Sequence, residues 1–212
     1  PLTEGTHSIT YAYEDASGNT SAQSPAFSLT VDTSAPSAPV INTIAGNDII
    51  NSSEQSSVIT GTNEAGATVS LSIGGTTRAA TVTGTTWSYT LTAADITAMG
   101  QGAETITATQ TDAAGNVSAS ASKTITVDTS APSAPVINTI AGNDIINSSE
   151  QSSVITGTNE AGATVSLSIG GTTRAATVTG TTWSYTLTAA DITAMGQGAE
   201  TITATQTDAA GN

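Results

Sequence analysis

Carboxylates are the side chains of this sequence with the clearest capacity for chemistry. The 212 residues include 17 acidic and 3 basic residues, one histidine and no cysteine, and the net charge is −14. This scarcity of Lys and Arg argues against nucleic acid as a partner, because phosphate binding depends on them. Without cysteine, disulfides and thiolate metal sites are unavailable. The acidic residues then have two possible roles. They bind a hard cation through their oxygens, or they keep the protein surface soluble.

Three acids lie beside turn residues, at positions that we expect to converge. Asp32 lies in a Pro-containing linker, Glu64 in an Asn-Glu-Ala-Gly turn and Asp112 in an Asp-Ala-Ala-Gly-Asn turn. Carboxylates repel one another unless a cation lies between them, and calcium takes six to eight oxygen ligands. The predicted calcium ligands are this trio, its counterparts 96 residues further on and one upstream residue: Asp32, Glu64, Asp112, Asp128, Glu160, Asp208 and Asp15.

A second pair of acids is predicted at the opposite end of the same domain. Asp48 and Asp95 are candidates for another calcium site that faces the following linker, and their counterparts are Asp144 and Asp191. Asp is also an ordinary turn residue. Asp95 is equally well placed to cap a short helix, a role that requires no metal.

A long internal repeat determines the domain organisation. The sequence from Val31 to Asn116 recurs letter for letter from Val127 to Asn212, a shift of 96 residues. A period of this length corresponds to a whole domain, and immunoglobulin-like sandwiches contain about 100 residues. We therefore divide the chain into the two-stranded tail of a preceding domain (1–31), a complete domain (32–127, the first copy) and a second copy that lacks its last strand (128–212). Because two strands alone are marginally stable, we expect the tail to dock on a neighbouring molecule or on further chain.

Alternating β-branched residues and turn residues predict about seven strands in the first copy. One helical turn is predicted over 93–99, and Ile106 and Ala108 are predicted to point inward. The predicted strands are 39–44, 57–61, 68–73, 77–82, one through Trp87, Tyr89 and Leu91, 104–110 and one that ends at Val127. This pattern predicts an all-β fold of tandem immunoglobulin-like β-sandwich domains.

Strand direction determines which loops share an end of the domain. Because each strand reverses the direction of the one before it, the loops after the second, fourth and sixth strands lie at the end where the preceding linker enters. Asp32, Glu64 and Asp112 are therefore expected at one end. Asp48 and Asp95 are expected at the other end, beside the following linker.

Four motifs occur in a fixed order, and together they are more specific than any one of them. They are Thr62–Val69, Gly84–Ser88, Ala108–Ser118 and Val127–Pro132. In this set the chain resembles, over its whole length, the bacterial Ig-like repeats of giant RTX-type and biofilm-associated adhesins secreted by type I systems. One departure is Ala103–Glu104, where the family often has Thr-His, as this chain does at Thr6–His7.

The resemblance implies a Gram-negative, extracellular cell-surface protein. In it the repeats would be structural extenders that hold a distal adhesive tip away from the membrane for cell adhesion or biofilm formation. It also implies Ca²⁺ at the domain junctions, held by Asp32, Glu64, Asp112 and their counterparts. The expected partners are calcium ions and neighbouring repeats of the same chain.

Other functions have weaker support in the residues. No enzyme is expected, because the only histidine, His7, aligns with a strand position and no nucleophile has a base near it. A small-molecule substrate is not expected. Membrane insertion is not expected either, since no apolar run approaches about 20 residues. The alternative is that the repeats themselves bind carbohydrate, ice or a homotypic partner. Thr-rich strands would suit ice, whereas an aromatic content of 3% is low for carbohydrate.

Overall fold

The structure, a computed structural model, describes residues 2–212 as strands joined by short loops and two short helices. The tail contains β1 (Gly5–Ile9) and β2 (Phe27–Val31). The first copy contains β3 (Val40–Ile41), β4 (Ile49–Ile50), β5 (Val58–Thr62), β6 (Thr68–Ile73), β7 (Thr76–Ala79), β8 (Thr81–Thr83), β9 (Thr86–Thr90), α1 (Ala93–Met99), β10 (Gly102–Thr111) and β11 (Ala121–Val127). The second copy contains β12 (Val136–Ile137), β13 (Val154–Thr158), β14 (Thr164–Ile169), β15 (Thr172–Ala175), β16 (Thr177–Thr179), β17 (Thr182–Thr186), α2 (Ala189–Met195) and β18 (Thr203–Thr207).

The strands of each copy form two sheets, which confirms the all-β, immunoglobulin-like sandwich. The sheets of the first copy have the orders β3-β5-β9-β8 and β4-β11-β10-β6-β7. Those of the second copy have the orders β12-β13-β17-β16 and β15-β14-β18. In the tail, β1 and β2 form a separate antiparallel pair, with Gly5 opposite Val31.

Two strands differ from the prediction. The sequence predicts one strand over 77–82, but the chain changes sheets at Ala80, so that β7 pairs with β6 and β8 pairs with β9. The predicted first strand, 39–44, shortens to β3, and the following loop contains β4, which pairs in parallel with β11. No Gly or Pro occurs within 76–83 or at Ile49–Ile50 that would mark either change in the sequence. The bounds of these strands are therefore determined by the strands with which they pair.

Alternation along the strands builds the core that was predicted. Ile106 and Ala108 are buried in the first copy, as expected. In the second copy a buried cluster gathers around Trp183, with Ile155 and Leu167 among its members. Trp183 lies so close to Gly157 that a Cβ there would be 2.5 Å from two carbons of the indole ring. Glycine is therefore required at this strand position for a steric reason.

The helical turn predicted over 93–99 forms as α1, and α2 is its counterpart in the second copy. Each helix begins with a capping box. Thr92 accepts from the backbone of Asp95, and the Asp95 side chain accepts from the backbone of Thr92. Thr188 and Asp191 repeat this arrangement. No helix within residues 2–212 is long and apolar enough to cross a membrane.

The tail forms its two strands but is poorly covered within this chain. Its large apolar side chains, such as Tyr11, Tyr13 and Phe27, are exposed. Docking of the tail on a neighbouring molecule or on further chain stays a prediction.

Backbone contacts divide the chain into two compact units that do not follow the repeat boundaries. One unit comprises the residues up to Asn42 together with Ile59–Tyr89 and Thr105–Lys123. The other comprises Thr43–Val58, Thr90–Glu104 and Thr124–Asn212. The division into domains 1–31, 32–127 and 128–212 rests on the sequence repeat.

Candidate functional site

A five-residue loop that begins with Asp and ends with Asn occurs three times, at Asp15–Asn19, Asp112–Asn116 and Asp208–Asn212. In each loop one carboxylate oxygen accepts the backbone N–H of the Asn, at 3.0, 2.8 and 2.9 Å. The other oxygen accepts from the side-chain Nδ2 of the same Asn, at 2.9, 2.9 and 3.0 Å. The fourth residue of each loop is a glycine with φ of 85°, 97° and 96°, a backbone conformation that other residues rarely adopt. The loops therefore hold three carboxylates in the same local geometry.

Hydrogen bonds keep these carboxylates ionised. The Asn19 side chain lowers the pKa of Asp15, and the Asn116 side chain lowers the pKa of Asp112. The backbone N–H of Asn212 is the main cause of the lowered pKa of Asp208. Each carboxylate is therefore negatively charged at neutral pH, which is the form that binds a cation.

The linkers reach these loops through the Asn side chains. Asn116 Nδ2 donates to Asp112 Oδ2 at 2.9 Å and lies 3.2 Å from Asp32 O and 3.5 Å from Asp32 Oδ1. In the second copy Asn212 Nδ2 donates to Asp128 O at 2.8 Å and to Asp208 Oδ2 at 3.0 Å. The structure thus brings Asp32 together with Asp112, and Asp128 together with Asp208.

The third member of each predicted trio binds the linker backbone. Glu64 Oε1 accepts from the N–H and the hydroxyl of Ser37, both at 2.8 Å. Gln110 completes this contact, since its Oε1 accepts the Glu64 N–H at 2.9 Å and its Nε2 donates to Ser37 O at 2.6 Å. Glu160 repeats the pattern with Ser133, at 3.0 and 2.8 Å.

Across residues 2–212, no three His, Cys, Asp or Glu side chains are grouped as they would be around a metal. Direct ligation of a metal by Glu64 or Glu160 therefore stays a prediction.

Asp95 and Asp191, which were considered for the second site, have the helix-capping role that the sequence left open. Both are completely buried. Asp191 Oδ2 accepts from Thr188 N at 2.9 Å and from the Tyr185 hydroxyl at 2.8 Å, and Asp191 Oδ1 accepts from Arg174 Nε at 2.7 Å. Burial by itself raises the pKa of Asp191, but the hydrogen bonds from Thr188, Arg174 and Tyr185 outweigh it, and the pKa is lowered.

The other two residues of that predicted site stabilise turns. Asp48 and Asp144 have positive φ, 62° and 59°. Their Oδ1 atoms accept the backbone N–H of Ile44 at 2.9 Å and of Ile140 at 2.8 Å. Short polar side chains that bond locally are the residues that tolerate this conformation. These contacts account for all four acids of the second set without a metal.

Comparison with known proteins assigns the fold to a family. Residues 42–129 match the sequence model of the bacterial Ig-like domain family. Residues 138–212 repeat residues 42–116 letter for letter, so the second copy has the same family sequence. The repeats of this chain are bacterial Ig-like domains. The search of curated proteins found no match.

A solved structure of an adhesin is similar to the chain as a whole. It comes from work on host cell surface retention of a 1.5-MDa bacterial ice-binding adhesin. The similarity has 28% sequence identity and a TM-score of 0.52, and it covers 99% of this chain and 71% of that one. The chain is thus similar in sequence and fold to part of a large bacterial adhesin.

The oxygens around Asn116 in the first Ig-like domain are of the chemical type that calcium binds, and calcium binding there stays a prediction. The Asp32 and Asp112 carboxylates and the Asp32 carbonyl are the hard oxygen ligands that calcium prefers. The Nδ2 group of Asn116 lies among these oxygens and donates to the Asp112 carboxylate and the Asp32 carbonyl. Asn212 has the equivalent position between Asp128 and Asp208 in the second Ig-like domain.

The contacts of the amide side chains in these Ig-like domains were not predicted from the sequence. Asn116 and Gln110 connect the loops to the linker, and Asn212 and Gln206 do so in the second copy. The recurrence of Asn at the end of all three Asp loops was the available signal. Gln110 lies in a strand, where one more polar residue gives no sign of its contact with Ser37.

Proposed function

We propose that this chain is a structural extender region of a large bacterial surface adhesin. Its identical Ig-like repeats act as a spacer that projects a distal adhesive tip for cell adhesion or biofilm formation. The observation that carries the proposal is the recurrence of the same linker contacts in both copies, at Asp32 and Ser37 and again at Asp128 and Ser133. A spacer needs each added domain to meet its neighbour in the same way. The proposed role is non-enzymatic.

The adhesin-like neighbour supports a place outside the cell. We propose a Gram-negative surface protein exported by a type I system, as the sequence resemblance implies. A net charge of −14 suits a soluble, extended surface protein that does not pack against anionic lipid.

Calcium at the junctions is the proposed source of additional stiffness. Asp32 with Asp112, and Asp128 with Asp208, supply the carboxylates that would hold it. Their oxygens belong to a linker and to the domain that follows it, so one ion would join the two. Extracellular modules bind calcium at roughly 10⁻⁴–10⁻³ M, and saturation at 10–100 times the Kd adds about 1–3 kcal/mol per site.

The chain itself already restricts the linker. Pro36 and Pro39 fix their own φ angles. Glu64 and Gln110 hold the backbone of Ser37 between them, on its N–H and its carbonyl. The linker is thus attached to the downstream domain at two places, Asp32 and Ser37, before any ion binds.

Titration calorimetry with calcium tests the proposed site on the full 212-residue chain. Asp208→Asn removes one charge from the second junction while keeping a side-chain oxygen that can accept the N–H groups of Ala210 and Gly211. We expect this variant to weaken calcium binding at least tenfold at one site. Glu200→Gln, which removes an exposed charge from the same copy, is the control and should bind as the unmodified chain does. Equal affinity of the two variants would remove Asp208 from the site.

A further inference from the structure

The loop between β4 and β5 of the first copy contacts the second copy directly. Asn51 Nδ2 donates to Ala210 O at 3.0 Å, and the Ser52 N–H donates to Asn212 Oδ1 at 2.7 Å. The two contacts span sequence separations of 159 and 160 residues, so they join one repeat to the next. Gly211 lies between the two acceptors. A Cβ at Gly211 would lie 3.1 Å from Asn51 Nδ2.

Asn51 is oriented for this contact by its own loop. Its Oδ1 accepts from the N–H of Ser53 at 2.9 Å and from the Ser53 hydroxyl at 2.7 Å. Its backbone N–H donates to Glu54 Oε2 at 3.2 Å. With the oxygen engaged inside the loop, the Nδ2 group is directed outward. Asn147 has the same internal bonds, to Ser149 and Glu150, in the second copy.

A second contact attaches the linker to the repeat that precedes it. Gln101 Nε2 donates to Thr129 Oγ1 at 2.7 Å, and the Thr129 N–H donates to Gln101 Oε1 at 3.0 Å. In the tail, Glu4 occupies the equivalent position one residue before the strand and accepts from the Thr33 N–H at 2.9 Å. The Thr33 hydroxyl also donates to Glu4. The contact therefore recurs with either an acid or an amide as the upstream residue.

We propose that adjacent repeats form an interface through protein contacts alone, without a metal. The interface consists of Asn51 and Ser52 on the upstream repeat, the Ala210–Asn212 turn on the downstream repeat, and the Gln101–Thr129 pair at the linker. The two surfaces come from different loops of the repeat, so the contact is heterologous. The partner that this surface fits is the Asp-Ala-Ala-Gly-Asn loop of a following repeat.

The internal repeat supplies a matched pair of glycine variants. Gly115 and Gly211 have φ of 97° and 96°, so an alanine strains the backbone equally at both. Only Gly211 has a neighbour, Asn51, since a Cβ at Gly115 would meet nothing within 4 Å. Any additional effect of Gly211→Ala over Gly115→Ala therefore reports on the interface. Asn51→Ala and Asn147→Ala form a second matched pair.

Amide hydrogen exchange at Ser52, measured by NMR on the full chain in excess chelator, tests the proposal. We expect Gly211→Ala and Asn51→Ala to accelerate exchange at Ser52 by about three- to tenfold, the factor for loss of one hydrogen bond. Gly115→Ala and Asn147→Ala should leave it unchanged. Equal effects within either pair would overturn the proposal.

The linker contact is tested in the same spectra through the amide of Thr129. Gln101→Ala should accelerate its exchange, and Gln197→Ala, the counterpart change in the second copy, should not. Because chelator is present throughout, these results do not depend on whether the calcium proposal is correct. An unchanged Thr129 amide in Gln101→Ala would remove this contact from the interface.

Discussion

Removing the buried carboxylate of Asp191 should destabilise the second copy severely. The side chain is completely buried, and it accepts hydrogen bonds from Thr188, Tyr185 and Arg174. Asp191→Ala removes the half of the capping box that accepts the Thr188 N–H, and it leaves the Arg174 guanidinium and the Tyr185 hydroxyl without this acceptor. These hydrogen bonds connect α2, β17 and β15, so the substitution removes the contacts that hold the three elements together.

The magnitude follows from the burial of each partner. Breaking a buried ion pair by removing one member costs about 3–5 kcal/mol, and losing a helix cap costs about 1 kcal/mol. The Arg174 side chain is 29% exposed, so water can replace part of the hydrogen bonding that its guanidinium loses. We therefore expect a loss of about 3 kcal/mol in the free energy of unfolding of this copy. That is a large share of the roughly 5–15 kcal/mol typical of a domain.

Each copy contains one tryptophan, so fluorescence can follow one copy at a time. In a Trp87→Phe background, urea unfolding monitored through Trp183 gives the free energy of unfolding of the second copy. The control is Glu200→Ala, an exposed acid of the same copy, which should change that free energy by less than about 0.5 kcal/mol. A loss below about 1 kcal/mol for Asp191→Ala would show that these contacts do not stabilise the fold to the expected extent.

Three further predictions follow from the fold and its charges. The pKa of Asp191 is lowered in the folded state, so its contribution to stability is present above the unfolded pKa of about 3.9 and is lost as pH falls below that value. In acid unfolding, Asp191→Asn should therefore lose less stability than the unmodified chain between about pH 4 and pH 2. An identical pH profile of the two proteins would contradict this. Gly157→Ala should cost about 1–3 kcal/mol or more because its Cβ overlaps Trp183, whereas Val154→Thr, an exposed change in the same strand, should cost less than 1 kcal/mol in the same urea assay. A peptide with the sequence of residues 117–127 should raise the melting temperature of the second copy, because β11 buries Ile125 and Val127 in the first copy while Ile145 is 65% exposed in the second. The control is the same peptide with Ile125→Asp. Equal effects of the two peptides on the melting temperature would contradict the prediction.

The sequence predicted the fold well where local pattern and sheet partner agree. Thr68–Ile73 alternates polar and apolar residues, and it forms β6 with the predicted bounds. The helical turn over 93–99 was also predicted correctly. The break at Ala80 was missed because both halves of the segment favour strand, and only the choice of sheet separates them. β4 was missed because two isoleucines pair with a strand more than 70 residues away, for which no local signal exists.

For the candidate site, the sequence predicted which loops share an end but not which side chains meet. Asp32 and Asp112 both contact Asn116 Nδ2, at the end of the domain where strand direction places them. Glu64 lies at the same end, yet its carboxylate binds Ser37, a contact that depends on the path of the linker. Asp95 was ambiguous because the same position serves a cap or a ligand, and the side-chain bond from Thr92 decides for the cap.

Calcium is proposed to stiffen a spacer of identical repeats. The most direct measurement is small-angle X-ray scattering of the full chain, paired with its melting temperature, in millimolar calcium and then in excess chelator. We expect chelation to lower the melting temperature and to broaden the distribution of particle dimensions. The double variant Asp112→Asn with Asp208→Asn should lose most of this calcium response. Identical scattering and melting in calcium and chelator would contradict the claim, and Asp32, Asp112, Asp128 and Asp208 would then act only as turn and linker residues.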